Sequence, residues 1–278
     1  MSNLTIKQFD WKFEDTDFYW NPKNREFSAF MNSISFLVVG LERYFCRAIR
    51  DAEALITDPV VLEEAKMFNQ QEMAHSKAHY KHCQALIAKY PALQDALDGS
   101  IRMFDEVYEA QDLKYHLSYA GGLESIFTPF FGTIIDHRDL LFGGGDPEVA
   151  SLFLWHFCEE IEHRSAAITI YNHVYGDHLY RIRNIKPLMA HGREVIMMLQ
   201  DVFKRAVPDF DTPEFFVTGL NTIPRFRKMR MSLGIFASQM PWFNHEKQRL
   251  PAYYAEWNQR YQNGEDMRVT YGGQPSAA

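Results

Sequence analysis

The sequence predicts an all-α protein, and three observations carry that prediction. Apolar side chains recur at three- and four-residue steps, as in Phe30, Ile34, Val38, Leu41, Phe45 and Ile49, the period of one helix face. Asp58-Pro59 and Asp146-Pro147 each join a capping carboxylate to a residue suited to the first helical position. No segment reads as a ladder of strands.

Residues 1 to about 24 read as irregular, anchored by Trp11, Phe13, Phe18, Tyr19 and Trp20. The first helix is expected from about Glu26 to Ile56, and the second from Pro59 to about Tyr90, where Pro91 ends it. A third helical stretch is expected over about 100–142, bent near Gly121-Gly122 and broken by Gly143-Gly144-Gly145. A fourth runs from Pro147 to about Tyr175, stopped by Gly176, and a fifth from about Lys186 to Arg205. Short helices follow at about 213–222, 225–235 and 251–262, and the tail from Gly264 reads as disordered. The expected organisation is a helical bundle with an N-terminal extension over 1–205, and a C-terminal helical extension packed on it over 206–278.

A chain of 278 residues with 46% hydrophobic and 15% aromatic content can bury a large core. Its formal net charge of −7 argues against a nucleic-acid groove and gives no reason to expect an anionic membrane as partner. Three cysteines, Cys46, Cys83 and Cys158, form no CxxC pair and read as reduced thiols. The acidic, aromatic start is unlike a secretory signal. The apolar run from Ser28 to Gly40 is too short to span a bilayer and meets Glu42 and Arg43 at once. A soluble, cytoplasmic protein is expected.

The chemistry lies in a repeated pattern. Glu72-Met73-Ala74-His75 and Glu160-Ile161-Glu162-His163 are both Glu-x-x-His on expected helices. Residues three apart share a helix face, so each pair can deliver a carboxylate and an imidazole to one point. Each pair is preceded by a helix with a single glutamate on an apolar stripe: Glu42 among Val38, Val39, Phe45 and Ile49, and Glu124 among Leu117, Ala120, Phe127 and Phe131. A carboxylate on such a face is costly to bury unless a cation neutralises it. One Glu from each of two helices and one Glu-x-x-His from each of two others is the ligand set of di-iron and di-manganese carboxylate bundles. Glu63, Glu64, Glu159 and Glu162 read as solvated groups or as supports behind the ligands. His79 and His82 continue the series of His75, but six ligands already meet the need.

These residues resemble the ferritin-like di-iron superfamily, which includes the ribonucleotide reductase small subunit, bacterial multicomponent monooxygenases and acyl desaturases. The resemblance covers about 42–163 and implies a ferritin-like four-helix bundle with additional C-terminal helices. His156, four residues before Glu160, gives His-x-x-x-Glu-x-x-His. This is similar to the di-iron arylamine N-oxygenases and implies a third imidazole ligand; beside Trp155, His156 also reads as a packed core histidine. The string WHFCEEIEHRSAAITIY resembles a bacterial family described only as predicted metal-dependent hydrolases, over nearly the whole chain.

Four carboxylates and two or three imidazoles suit iron, with manganese as the second choice, and four carboxylates balance two divalent ions. The leading expectation is a di-iron oxygenase or oxidase acting on a small organic substrate with O₂ and an external electron donor. A dinuclear hydrolase is the alternative. A ferritin-like iron-binding or ferroxidase protein ranks last, because more than a hundred residues follow His163. Arg164 and Asp136 are expected to support the ligands. Phe45, Phe127, Phe131, Phe153 and Phe157 are expected to line an apolar pocket or simply to pack. A homodimer is compatible with the reading.

Overall fold

The structure, a computed structural model, describes residues 4–271 and is helical throughout, with no strand among those residues. The elements are α1 (Arg25–Ala52), α2 (Pro59–Lys89), α3 (Gln94–Ala110), α4 (Leu113–Asp136), α5 (Arg138–Phe142), α6 (Pro147–Glu162), α7 (Ala166–Val174), α8 (His178–Ala206), α9 (Phe215–Thr218), α10 (Arg225–Ser238) and α11 (Ala252–Gln262). Short acidic or amide side chains start five of them, α1, α2, α4, α6 and α8. Asn24, Asp58, Asp112, Asp146 and Asp177 each accept a hydrogen bond from a backbone N–H of the first turn. Each such cap contributes about 1 kcal/mol.

Packing closes α1, α2, α4 and the α6–α7 pair into a helical bundle: α1 lies against α2 and α4, and α6 and α7 lie against both α2 and α4. The link from α2 to α4 carries α3, which packs on α1 and α8. The C-terminal elements lie on the outside, with α9 on α1, and α10 and α11 on α4. The N-terminal segment has no regular structure, as expected, yet Trp11, Phe13, Phe18 and Trp20 are buried and hold it to the bundle. The three cysteines are buried free thiols.

Four expectations need correction. The stretch over 100–142 is three helices: Gln111 is extended (ψ 169°) and Asp112 caps a new start. Helix α4 runs unbroken through Gly121 and Gly122. A Cβ at Gly121 would lie 3.4 Å from Ile168 Cα, and one at Gly122 would lie 3.3 Å from Leu188, so these glycines admit the neighbouring helices. The fourth helix stops at Glu162 and resumes at Ala166, and the fifth begins at His178, with Pro187 inside it. The tail from Gly264 is placed as far as Tyr271. Met267 is fully buried in a 3₁₀ turn packed on α6, and Tyr271 N–H donates to Ser151 Oγ (3.1 Å). The rest of that expectation, 272–278, lies outside the described residues.

The α1–α3 crossing turns on Gly40, where an added Cβ would meet Phe104 Cδ2 and Ser100 Oγ at 2.8 Å and Ser100 O at 2.9 Å. Gly40→Ala should therefore cost stability, on the order of 1–3 kcal/mol from overpacking. Gly192, in α8, has nothing within 4 Å of such an atom. Gly192→Ala should be neutral or gain up to about 1 kcal/mol from helix propensity. Urea unfolding of the two variants checks the contrast; equal shifts would refute it.

Candidate metal centre

Each bundle helix delivers its part. Glu42 comes from α1, Glu72 and His75 from α2, Glu124 from α4, and His156 and Glu160 from α6. His163 is the residue that caps the C-terminal end of α6 (φ −97°, ψ 16°), so the break between α6 and α7 falls on an expected ligand. All seven side chains are at most 2% exposed.

They converge into two groups. Glu42, His75, His156 and Glu160 form one, and Glu72, Glu124, Glu160 and His163 the other; within each, one donor atom per residue lies within 4.8 Å of the rest. Glu160 belongs to both and stands between them. His156 Nε2 is 2.8 Å from Glu160 Oε1 and 3.2 Å from Glu42 Oε1. His163 Nε2 is 3.2 Å from both Glu72 Oε1 and Glu160 Oε2, and 3.6 Å from Glu124 Oε2. His75 Nδ1 lies 3.7–3.9 Å from oxygens of Glu160, Glu72 and Glu42.

The electrostatics are those of a site that needs cations. Burial, then repulsion among the carboxylates, pushes Glu72 and Glu124 well above the usual range; burial does the same to Glu42 despite His156. Burial would raise Glu160 as well, but His163 and the hydrogen bond from His156 bring it down to about 2. His156 is opposed by burial, yet hydrogen bonds to Glu160 and Glu42 raise it to about 9. Six buried donor atoms here have no hydrogen-bond partner: Glu42 Oε2, both oxygens of Glu72 and of Glu124, and His75 Nδ1. Buried polar atoms are rarely left so. Two divalent ions among these donors would satisfy all six, so the residues fit a dinuclear centre.

Behind the donors, each imidazole is held by its other nitrogen. His75 Nε2 pairs with Glu159 Oε2 (2.9 Å), which leaves Nδ1 toward the cluster. His163 Nδ1–H donates to Gln71 Oε1 (3.0 Å), which leaves Nε2 bare. Such partners fix ring orientation and tautomer in metal sites. Lys7, from the N-terminal segment and 3% exposed, joins the two arms through Glu159 Oε1 (3.2 Å) and Glu162 Oε2 (2.8 Å). Gln71 Nε2 also donates to Glu162 Oε2 (3.0 Å).

The third imidazole is backed differently. His156 Nδ1 meets His79 Nε2 (2.8 Å), His79 Nδ1 meets Ser35 Oγ (2.9 Å), and Ser35 Oγ meets His82 Nδ1 (2.9 Å). All four side chains are buried. Once His156 Nε2 gives up the proton it shares with Glu160 and Glu42, as a metal ligand must, its Nδ1–H donates to His79, and the chain takes one direction toward His82.

The seven expected residues are therefore brought together. His79 and His82 lie outside both groups, as expected, but form the support behind His156. Glu159 is a buried support, not a solvated group. Two expectations fail. Arg164 donates to the carbonyls of His245 (3.0 Å) and Glu246 (3.1 Å), holding the segment after α10, and Asp136 is exposed at the end of α4. The aromatic residues pack: Phe131 stacks on Phe157 at 4.0 Å, and Phe153 lies 5.3 Å from His79. Gln71, Lys7 and Ser35 were not singled out by the sequence. Gln71 could have been, as the neighbour of Glu72, but nothing local marks Lys7 or Ser35.

A cleft of about 490 Å³ between α2 and the N-terminal segment is lined by Phe9, Trp11, Met73, Lys77 and Trp155, among others. The Trp155 ring packs on His75 at 5.0 Å, so this cleft comes within one side chain of the cluster.

Comparison with curated proteins and with solved structures returns no significant match. A family profile described as "predicted metal-dependent hydrolase" matches residues 5–245, which include every residue of the cluster and its supports. The chain belongs to this predicted metal-dependent hydrolase family.

Proposed function

We propose that this protein is a dinuclear metal-dependent hydrolase in which Glu42, His75 and His156 would hold one ion, Glu72, Glu124 and His163 would hold the other, and Glu160 would serve both. The carrying observation is the set of six buried donor atoms without partners, aimed into two groups that share one carboxylate. The hydrolytic assignment is supported by the family match. The mixed carboxylate and imidazole donors suit manganese, iron or zinc. Two such ions would supply Lewis acidity, polarising a substrate oxygen and lowering the pKa of water. The chain's own part is to position. Glu159 and Gln71 fix the imidazoles from behind, the apolar walls exclude bulk water, and Trp155 separates the cluster from the cleft where a small substrate would dock.

A second reading is an O₂-dependent di-iron oxidase or oxygenase. It is favoured by the resemblance of the ligand pattern to ferritin-like bundles and by His156 at ligand distance beside two carboxylates. The family match supports hydrolysis better.

Three outcomes are expected. Elemental analysis should find about two metal ions per chain in the parent, about one in Glu42→Ala and in Glu124→Ala, and fewer still in Glu160→Ala, which loses the shared ligand. Metal content equal to the parent in all three would refute the arrangement. Loading should also release protons: burial favours the protonated carboxyls of Glu42, Glu72 and Glu124, His156 is raised to about 9, and ligands must shed protons to bind. Affinity should therefore weaken as pH falls from about 8 to about 6, and a pH-independent titration without proton release would contradict this. Finally, the zinc- or manganese-loaded protein should hydrolyse an ester, amide or phosphate without O₂. An inert zinc form beside a reduced iron form that consumes O₂ would transfer the assignment to the second reading.

A further inference from the structure

Helix α10 is seated the wrong way round for a helix of a soluble bundle. Phe226, Met229, Leu233 and Phe236 follow one another at steps of three, four and three, which places them on a single stripe. That stripe faces outward, at 61%, 62%, 62% and 67% exposure. The side of α10 that meets α4 includes two small residues, with Arg227 and Met231 half-buried beside them: a Cβ on Gly234 would lie 3.1 Å from Pro129 Cβ, and Ser238 is fully buried. Just beyond the helix, Trp242 is 81% exposed. Scattered exposed apolar residues need no explanation, whereas a continuous row of large ones marks an interaction surface.

Charge says what covers it. Within 225–249 stand Arg225, Arg227, Lys228, Arg230, Lys247 and Arg249 against one acid, Glu246. That acid is already engaged by Arg164 at 3.2 Å. An acidic chain thus carries a basic segment around its apolar stripe, with Arg225 and Arg230 exposed beside it. A second copy laid on the same face would set cations against cations, because α10 holds no acid. An anionic lipid surface satisfies both features at once. Apolar side chains sink to the acyl boundary, arginines meet headgroups, and a tryptophan sits at the interface.

We propose that the outer face of α10, with Trp242, docks this protein in the plane of an anionic lipid bilayer. The helix lies on the surface and does not cross it; no helix among the described residues is long and apolar enough to span. Since α10 packs on α4, the helix that carries Glu124, docking would also set how the bundle stands on the membrane.

The test is co-sedimentation of the full metal-loaded chain with vesicles of phosphatidylcholine alone or mixed with phosphatidylglycerol. Binding is expected to the mixed vesicles only, falling with added salt, with a blue shift of fluorescence that Trp242→Phe removes. Arg225→Glu with Arg230→Glu should lower partitioning at least about thirtyfold, from the contribution of two surface cations. Leu233→Asp with Phe236→Asp should abolish it. Both pairs are exposed, so melting temperature and metal content should stay at parental values, which distinguishes a lost surface from a lost fold. Absence of binding to the mixed vesicles, or binding unchanged in both double variants, would overturn the proposal. So would a dimer in solution that Leu233→Asp with Phe236→Asp converts to monomer, which would assign the face to a second copy.

Discussion

Four carboxylates in an apolar interior form the constraint around which this protein is built. Unit charges about 4 Å apart interact by about 4 kcal/mol even at an effective dielectric of 20, and Glu42, Glu72, Glu124 and Glu160 are nearly inaccessible to water. The unpartnered oxygens of Glu42, Glu72 and Glu124 show that the protein's own hydrogen bonds relieve only part of the repulsion. The rest of the bundle follows. Each carboxylate comes from a different long helix segment and so cannot drift, the imidazoles are locked from behind, and Lys7 compensates the additional charge of Glu159 and Glu162. Burying one partner of such a set without the others would be strongly destabilising.

The part of this arrangement that is local along the chain was legible. Glu-x-x-His needs only the three-residue helical step, and a lone Glu on an apolar stripe announces a buried charge. For that reason six cluster residues could be named before their positions were known; His156 came from the resemblance carried by its place four residues before Glu160, beside a core-packing reading. Glu159 and Glu162 were read as solvated groups or supports, but the pairings of the supports were not legible, because they join positions far apart: 84 residues between His75 and Glu159, 92 between His163 and Gln71, 152 between Lys7 and Glu159. Helix boundaries divided in the same way. Asp58 and Asp146 were read as caps because proline follows each, whereas Asp112 and Asp177 cap just as well without one. The stop at His163 has no glycine or proline to mark it, and the close approach at the paired glycines of α4 depends on α7 and α8, which the local sequence does not show.

Composition misled in one respect. A net charge of −7 averages over the chain and hides that the acids and bases are segregated. The helical pattern of α10 was legible, but an apolar stripe on a helix is normally assigned to the core. Only its packing on α4 through Gly234 and Ser238 shows that the stripe points away. Sequence periodicity fixes that a face exists, not which side it takes.

The bond from Lys7 to Glu159 also bears on how the molecule assembles. It closes a loop of 152 residues, and the entropic cost of closure must be met before the contact returns anything. The His75–Glu159 and Gln71–His163 bonds join α2 to the end of α6 by themselves, but Lys7 can brace Glu159 and Glu162 only when the N-terminal segment has returned to α6. That brace is a long-range contact, and the segment before α1 is therefore tied to the cluster it stands behind. Any ion that binds the folded chain and not the unfolded one adds its binding free energy to the stability of the bundle.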